Sequence, residues 1–230
     1  MNLSQWLSQL NIHGLIEFVI TVAAALICVT FHEVSHGYMA LILGDRTAKD
    51  MGRLSLNPLR HLDPMGLLCM AIAHFGWAKP VPIDPRNFRN FRRGMALTAL
   101  AGPLANLFLA IVFLTIYFAV GTLAAFFAWG SVGHYVSLFF WYVAYLSTVL
   151  CVFNLFPIPP LDGSKVLLSF LPSRWYIWVL RYERYGFILL AVLLYVGVLD
   201  GPLMFFQSKL MELLTMLCGW PYMILDNLLR

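Results

Sequence analysis

The sequence predicts an all-α polytopic membrane protein of about five to six transmembrane helices, with a short re-entrant, β-containing cytoplasmic segment after the first. Three observations predict it. Of the 230 residues, 61% are hydrophobic and only 11% charged, against roughly 45–50% and 25% in soluble globular chains. The apolar residues gather into runs long enough to cross a bilayer. Lys and Arg concentrate at alternate ends of those runs. With mean hydropathy at +0.79, the chain has too little polar surface to coat a water-exposed body. That excludes disorder, a nucleic-acid module and a cytosolic enzyme.

Leu15 to Leu43 is the first run, interrupted by Glu17 near its start and by the polar group His32, Glu33 and His36. At ~1.5 Å per residue it is longer than the ~30 Å hydrocarbon core requires, so this helix is expected to tilt or to be partly enclosed by protein. Met95 to Ala128 and Val132 to Leu161 contain no Asp, Glu, Lys or Arg, and Tyr185 to Leu199 and Pro202 to Met223 are two shorter candidates. Met65 to Ala78 spans only 14 residues and includes His74, the length of a re-entrant or interfacial segment. Arg46, Lys49, Arg53 and Arg60 precede it, and Lys79, Arg86, Arg89, Arg92 and Arg93 follow it. A full span would put these basic stretches on opposite faces, against the positive-inside rule. Both are therefore placed in the cytoplasm, and the N-terminus, with no Lys or Arg in residues 1–14, outside.

No basic n-region or small-residue cleavage site announces a removable signal peptide, and no soluble domain is expected at either end. Asn57-Pro58, Asp63-Pro64, Lys79-Pro80, Pro82 and Asp84-Pro85 predict turns and short strands over 52–90. Cys28, Cys69, Cys151 and Cys218 are widely spaced in apolar runs and imply no disulfide framework. Trp6, Trp77, Trp141 and Trp175 suit interfacial anchoring. Arg86, Arg89, Arg92 and Arg93, interleaved with Phe88 and Phe91 just before a span, suit anionic lipid headgroups better than nucleic acid.

His32-Glu33-Val34-Ser35-His36 is the most informative stretch. Residues four apart share a helix face, so two imidazoles can converge on one metal while Glu33 reaches the water that the metal activates. Glu33 can then accept a proton and pass it to a leaving amine. The alternative is a pair of interior histidines hydrogen-bonded in a polar pocket, but three ionisable groups within five residues of a membrane helix are costly without a function. A third ligand is needed. Met39 and Ile42 occupy the places of a third helical His, and no Glu occurs between Glu33 and Glu183. Asp45, Asp50, Asp63 and Asp84 lie in a basic loop where ion pairing explains them. Asp162 ends an uncharged run, after Pro157, Pro159 and Pro160 stop the helix and before Gly163, which is expected to give the backbone freedom. Its alternative role is to N-cap the helix that follows. His61 and His74 are weaker candidates, for an auxiliary metal contact or a plain polar role. His13 and His134 are expected near the outer interface.

His32 to His36 in the first span, Ala101-Gly102-Pro103-Leu104-Ala105-Asn106 in the second and Asn154 to Gly163 after the third resemble the three marks of the site-2 protease family of intramembrane zinc metalloproteases. Gly52-Arg53-Leu54-Ser55-Leu56-Asn57-Pro58, His61-Leu62-Asp63-Pro64 and Gly76-Trp77-Ala78-Lys79-Pro80-Val81-Pro82 resemble its short prokaryotic branch, without PDZ or CBS domain. The resemblance covers residues 28 to 172. It implies that His32, His36 and Asp162 bind one Zn(2+) per chain and that Glu33 is the general base and acid. It implies that Asn154 meets substrate backbone or the developing oxyanion; a helix-to-helix hydrogen bond is the alternative. Gly102 and Pro103 would break or kink the second span and allow close packing, Asn106 would bond a neighbouring helix, and the segment from Gly76 to Pro82 would add a strand or re-entrant loop that receives an unwound substrate.

The expectation is a single membrane domain over 1–230, with a catalytic core at 14–172 and accessory C-terminal transmembrane helices at 173–230. It would sit in the cell (inner) membrane with its site towards the cytoplasm, its partners a transmembrane protein substrate and the lipid bilayer. The rival functions are a membrane metal transporter or sensor and a catalytically silent scaffold that binds membrane helices. Neither substrate nor oligomeric state is legible.

Overall fold

Seven helices account for most of the residues that the computed structural model describes, which are 12–63, 65, 79–171 and 173–229. They are α1 (Ile12–Ile42), α2 (Thr47–Asp50), α3 (Phe91–Phe126), α4 (Gly130–Leu155), α5 (Asp162–Ser169), α6 (Ser173–Tyr195) and α7 (Asp200–Leu229). Three of them, α1, α3 and α4, are long and apolar enough to cross a membrane. The parts of α6 and α7 at Tyr185–Tyr195 and Asp200–Trp220 meet at an 85° bend and make a fourth if taken as one span. Gly197 holds the left-handed φ of +77° at that bend, a conformation that glycine adopts without steric cost. Among the described residues the regular structure is all helical, and the apolar helices make the chain a multi-pass membrane protein.

The loop over 52–90 is made of turns, as expected, with 3₁₀ turns at Pro58–Arg60 and Pro85–Asn87. The expected short strands are not found among the described residues. In the extended piece 79–84, prolines at 80 and 82 remove the N–H groups that a ladder needs. The expected re-entrant run 65–78, with His74 and Trp77, lies outside the described residues except for Met65, as does Trp6; the side chain of Trp175 is also outside them.

The packing is inverted relative to a soluble protein. Phe18, Phe108, Ile188, Met204 and Phe205 are exposed, while Thr98, Asn106, Ser147 and Thr148 are buried between helices. That arrangement matches a hydrocarbon solvent, where polar side chains are satisfied inside the bundle. Helix α3 is the hub and touches α1, α4, α5 and α7. Ala24, Cys28, Leu109 and Val143 form the core between α1, α3 and α4, and Ala110, Leu114, Ala144, Met211 and Leu214 the core towards α7. Trp141, half-buried, packs against the second core and Tyr117, with ring centroids 5.3 Å apart. Cys28, Cys151 and Cys218 are buried free thiols. At the other end of the bundle His13 is exposed and hydrogen-bonded to the Tyr135 hydroxyl.

Pro103 does not break α3, which runs unbroken for 36 residues. Helix α4 does stop before its proline cluster, at Leu155, and the chain turns through 156–161 before α5 begins. Gly163 serves that turn differently from expectation. It is helical, and a Cβ there would lie 2.1 Å from the Leu155 carbonyl oxygen. Its role is to let two backbones touch, not to supply conformational freedom.

Helix α1 ends at Ile42, and Gly44, just beyond it, takes a left-handed conformation, φ +111°, the usual glycine stop after a helix. Asp45 follows and is fully buried. Its carboxylate accepts from the Thr47 N–H at 3.0 Å, the Thr47 hydroxyl at 2.5 Å, the Asp84 N–H at 2.8 Å and Asn87 Nδ2 at 2.8 Å. It thereby pins the start of the basic loop to its end. Burial pushes this carboxyl up, but the hydrogen bonds from Thr47, Asn87 and Asp84 outweigh it and leave it below the ordinary value of 3.8. On the exposed flank Arg86 holds Asp84 down at about 2. A carboxyl depressed on folding stabilises above its unfolded value and loses that contribution as pH falls through the folded one. Docking of the loop is therefore expected to be constant from neutral pH down to the ordinary carboxylate value of 3.8 and to weaken below it. Asp45→Ala, which strands four donors, is expected to cost ~3 kcal/mol, and Asp45→Asn should remove the share of the acid dependence that Asp45 carries and leave that of Asp84. Thermal unfolding in detergent across a pH series measures both.

Candidate metal centre

Two residues from the last third of α1 and one from the first turn of α5 meet here. His32 and His36 are each 7% exposed, one turn apart, with their Nε2 atoms 3.0 Å from each other. The Asp162 Oδ2 lies 3.2 Å from His32 Nε2 and 3.1 Å from His36 Nε2. Among the described residues no other set of three His, Cys, Asp or Glu gathers closely enough to share a metal. Asp162 does not cap its helix: Leu161 is the N-cap residue, without a side-chain capping bond, and the carboxylate points to the imidazoles instead.

The dimensions fit zinc. Ligand atoms at ~2.0–2.1 Å in a tetrahedron are about 3.3 Å apart, close to the edges of this triangle. The second ring nitrogens fit as well. His36 Nδ1 donates to the Thr98 carbonyl at 2.7 Å, which leaves the lone pair of a neutral imidazole on Nε2, facing the other two atoms. The carboxamide of Asn106, fully buried, stands with Nδ2 3.2 Å from His32 Nδ1, and its Oδ1 has no partner among the described residues. Carboxamide oxygen and nitrogen are interchangeable in shape. With the oxygen turned to His32 Nδ1–H, the orphan is satisfied and a second lone pair faces inward. Three acceptors so placed repel one another unless a cation lies between them.

Helix α3 makes the convergence possible. A Cβ on Gly102 would lie 2.5 Å from Cε1 and Nε2 of His36 and 2.7 Å from Cε1 of His32, so the imidazoles rest on bare backbone. Pro103, also buried, removes the N–H that would pair with the Ala99 carbonyl in the same turn.

Glu33 lines a cavity of about 540 Å³ that also opens onto His32, His36, Asp162, Asn154, Lys165 and Val81. Its Oε2 accepts the Val81 N–H at 2.8 Å. Asn154 donates through Nδ2 to the Leu150 carbonyl of its own helix at 3.0 Å and not to a neighbouring helix; a carboxamide has a second N–H to offer. His61 is buried, bonded to the Ser55 carbonyl at 2.7 Å, and does not line the cavity. The sequence does not single out the Thr98 carbonyl, the Val81 N–H or Lys165. The first two act through backbone atoms, which leave no side-chain signature. Lys165 had a signal: it lies one turn after Asp162 and shares its helix face.

Residues 130–198 match peptidase family M50, a stretch that holds Asn154 and Asp162 but not the histidine pair. The candidate zinc metalloprotease YwhC of Bacillus subtilis is 41% identical over 177 residues, covering 75% of this chain and 78% of its own length. Two candidate zinc metalloproteases named Rip2 are also similar. The one from Mycolicibacterium smegmatis is 29% identical over 80% of this chain and 69% of its own, and that from Mycobacterium tuberculosis H37Rv 30% identical over 80% and 70%. No solved structure matches the chain.

Gly102→Ala is expected to push the two imidazoles apart and to weaken zinc binding by roughly 10- to 100-fold, the range seen when the shell around a ligand is disturbed. Competition with a chelator measures it.

Proposed function

The chain belongs to peptidase family M50, the site-2 protease family, and from that premise we propose that it is an intramembrane zinc metalloprotease, hydrolysing a peptide bond within or next to a transmembrane segment of another protein. The observation that carries the reading is one cavity, bounded by apolar membrane helices, in which His32, His36 and Asp162 converge beside Glu33. His32 Nε2, His36 Nε2 and Asp162 Oδ2 would hold one zinc ion per chain. When bound, zinc supplies a Lewis acid that polarises a carbonyl and brings the pKa of water to about 7. Glu33 takes the proton of the attacking water and returns it to the departing amine. Asn154 offers its spare N–H to the developing oxyanion. Asn106 and the Thr98 carbonyl orient the two imidazoles, Gly102 and Pro103 give them room, and Gly163 brings Asp162 within reach.

A membrane helix satisfies its own backbone, so the substrate must unwind locally before its carbonyl reaches this site. In this reading residues 14–172 are the catalytic core and 173–230 accessory helices. With α6 and α7 crossing separately there are five spans, and Pro80 and Val81, which line the cavity, border the place where the unwound substrate is received. The basic loop faces the cytoplasm of the cell (inner) membrane, the N-terminus faces outward, and water enters from the cytoplasmic side.

The test is cleavage of a panel of membrane-spanning substrates by purified wild type and Glu33→Gln, with zinc counted in both. Equal zinc and a fall in cleavage of roughly 10²- to 10⁴-fold are expected. Undiminished cleavage by Glu33→Gln would sink the mechanism. Zinc-loaded wild type that cleaves nothing but carries zinc across vesicles would mark a transporter.

A further inference from the structure

The extended stretch 79–84 borders the cavity and is tied down at both ends. At its start, Arg53 Nη2 donates to the carbonyls of Lys79 at 2.9 Å and Pro80 at 3.2 Å, while Nη1 donates to the Arg60 carbonyl at 2.6 Å. At its end, the Asp84 N–H is held by the buried Asp45 at 2.8 Å. Between them Val81 is buried against α1, so close that a Cβ on Gly37 would lie 2.9 Å from its Cγ1. Pro80 and Pro82 have no N–H. Val81 supplies the one amide hydrogen of that triplet, and it goes to Glu33 Oε2 at 2.8 Å.

A glutamate rotates about three side-chain bonds, yet proton transfer requires an approach of about 2.6–3.2 Å. A fixed donor on one oxygen removes most of that freedom and leaves the other oxygen for the proton. The fixed donor is only as fixed as the chain that carries it. Arg53 is suited to hold that chain, because its planar fork reaches several carbonyls at once where a lysine presents a single point.

We propose that Arg53 is a positioning residue for Glu33, acting through the Lys79 and Pro80 carbonyls and the Val81 N–H. This rests on the reading of Glu33 as the general base and deepens it.

The test uses the full-length protein in lipid nanodiscs, as wild type, Arg53→Ala, Arg53→Lys and Glu33→Ala. Arg53→Ala is expected to lower kcat by about 10- to 100-fold while KM stays within about twofold. Zinc content should be unchanged, and Arg53→Lys should recover part of the loss. Site-resolved hydrogen exchange at the Val81 amide is expected to speed up by about tenfold or more in both Arg53→Ala and Glu33→Ala, as the bond loosens or loses its acceptor. Wild-type kcat in Arg53→Ala overturns the proposal, as does loss of zinc or a rise in KM alone. So does a Val81 amide indifferent to Arg53. If wild type cleaves nothing, the protease reading fails by itself, and exchange at Val81 still decides whether Arg53 governs the bond to Glu33.

Discussion

A carboxylate oxygen and two imidazole nitrogens are held 3.0–3.2 Å apart in a chain whose helices otherwise carry apolar side chains to the outside. Bringing three acceptors so close is unfavourable without a shared cation, and the protein spends much of its architecture on enforcing it. The histidines come one turn apart on α1. Asp162 arrives from a separate helix, which can start there only because Gly163 lies against the Leu155 and Phe156 carbonyls. Helix α3 closes the third side with Gly102 against both rings. Each element is placed by a glycine that lets backbone approach side chain or backbone, the device by which membrane helices pack closely.

The same constraint explains why α3 is the hub. It holds none of the three candidate ligands, yet within nine residues it supplies the Thr98 carbonyl to His36, Gly102 as the floor of the site and Asn106 to His32. These three lie on one helical face, four residues apart.

Much of this was legible in the sequence. The helices α1, α3 and α4 follow from uncharged apolar runs, and the stop at Leu155 follows from Pro157, Pro159 and Pro160. His32, His36 and Asp162 stood out because ionisable groups are expensive beside apolar spans. Other features were not legible, for identifiable reasons. Gly163 was read as conformational freedom because a sequence shows that a side chain is missing but not what fills its place. The packing of Trp141 against Tyr117 is a property of the pair that neither residue announces alone. Strands were expected over 52–90 from turn-rich composition, without weighing that alternating prolines strip the ladder of its donors. The contacts of Thr98 and Val81 are made by backbone atoms that every residue possesses.

Prolines recur wherever the chain leaves the helix around this site, and their shared property is the absence of an N–H. An amide hydrogen without an acceptor beside apolar spans costs several kcal/mol, so irregular backbone is cheapest there when it has few donors to satisfy. In the turn between α4 and α5, Pro157, Pro159 and Pro160 delete three, and the N–H of Phe156 and of Leu161 find the carbonyls of Phe153 at 3.2 Å and Ile158 at 2.9 Å. In the stretch 79–84, Pro80 and Pro82 delete two more, and the Lys79 and Asp84 amides go to the His61 carbonyl and to Asp45. The Val81 amide stands out in this setting. Between two prolines this donor is kept, and its acceptor is Glu33, the proposed general base.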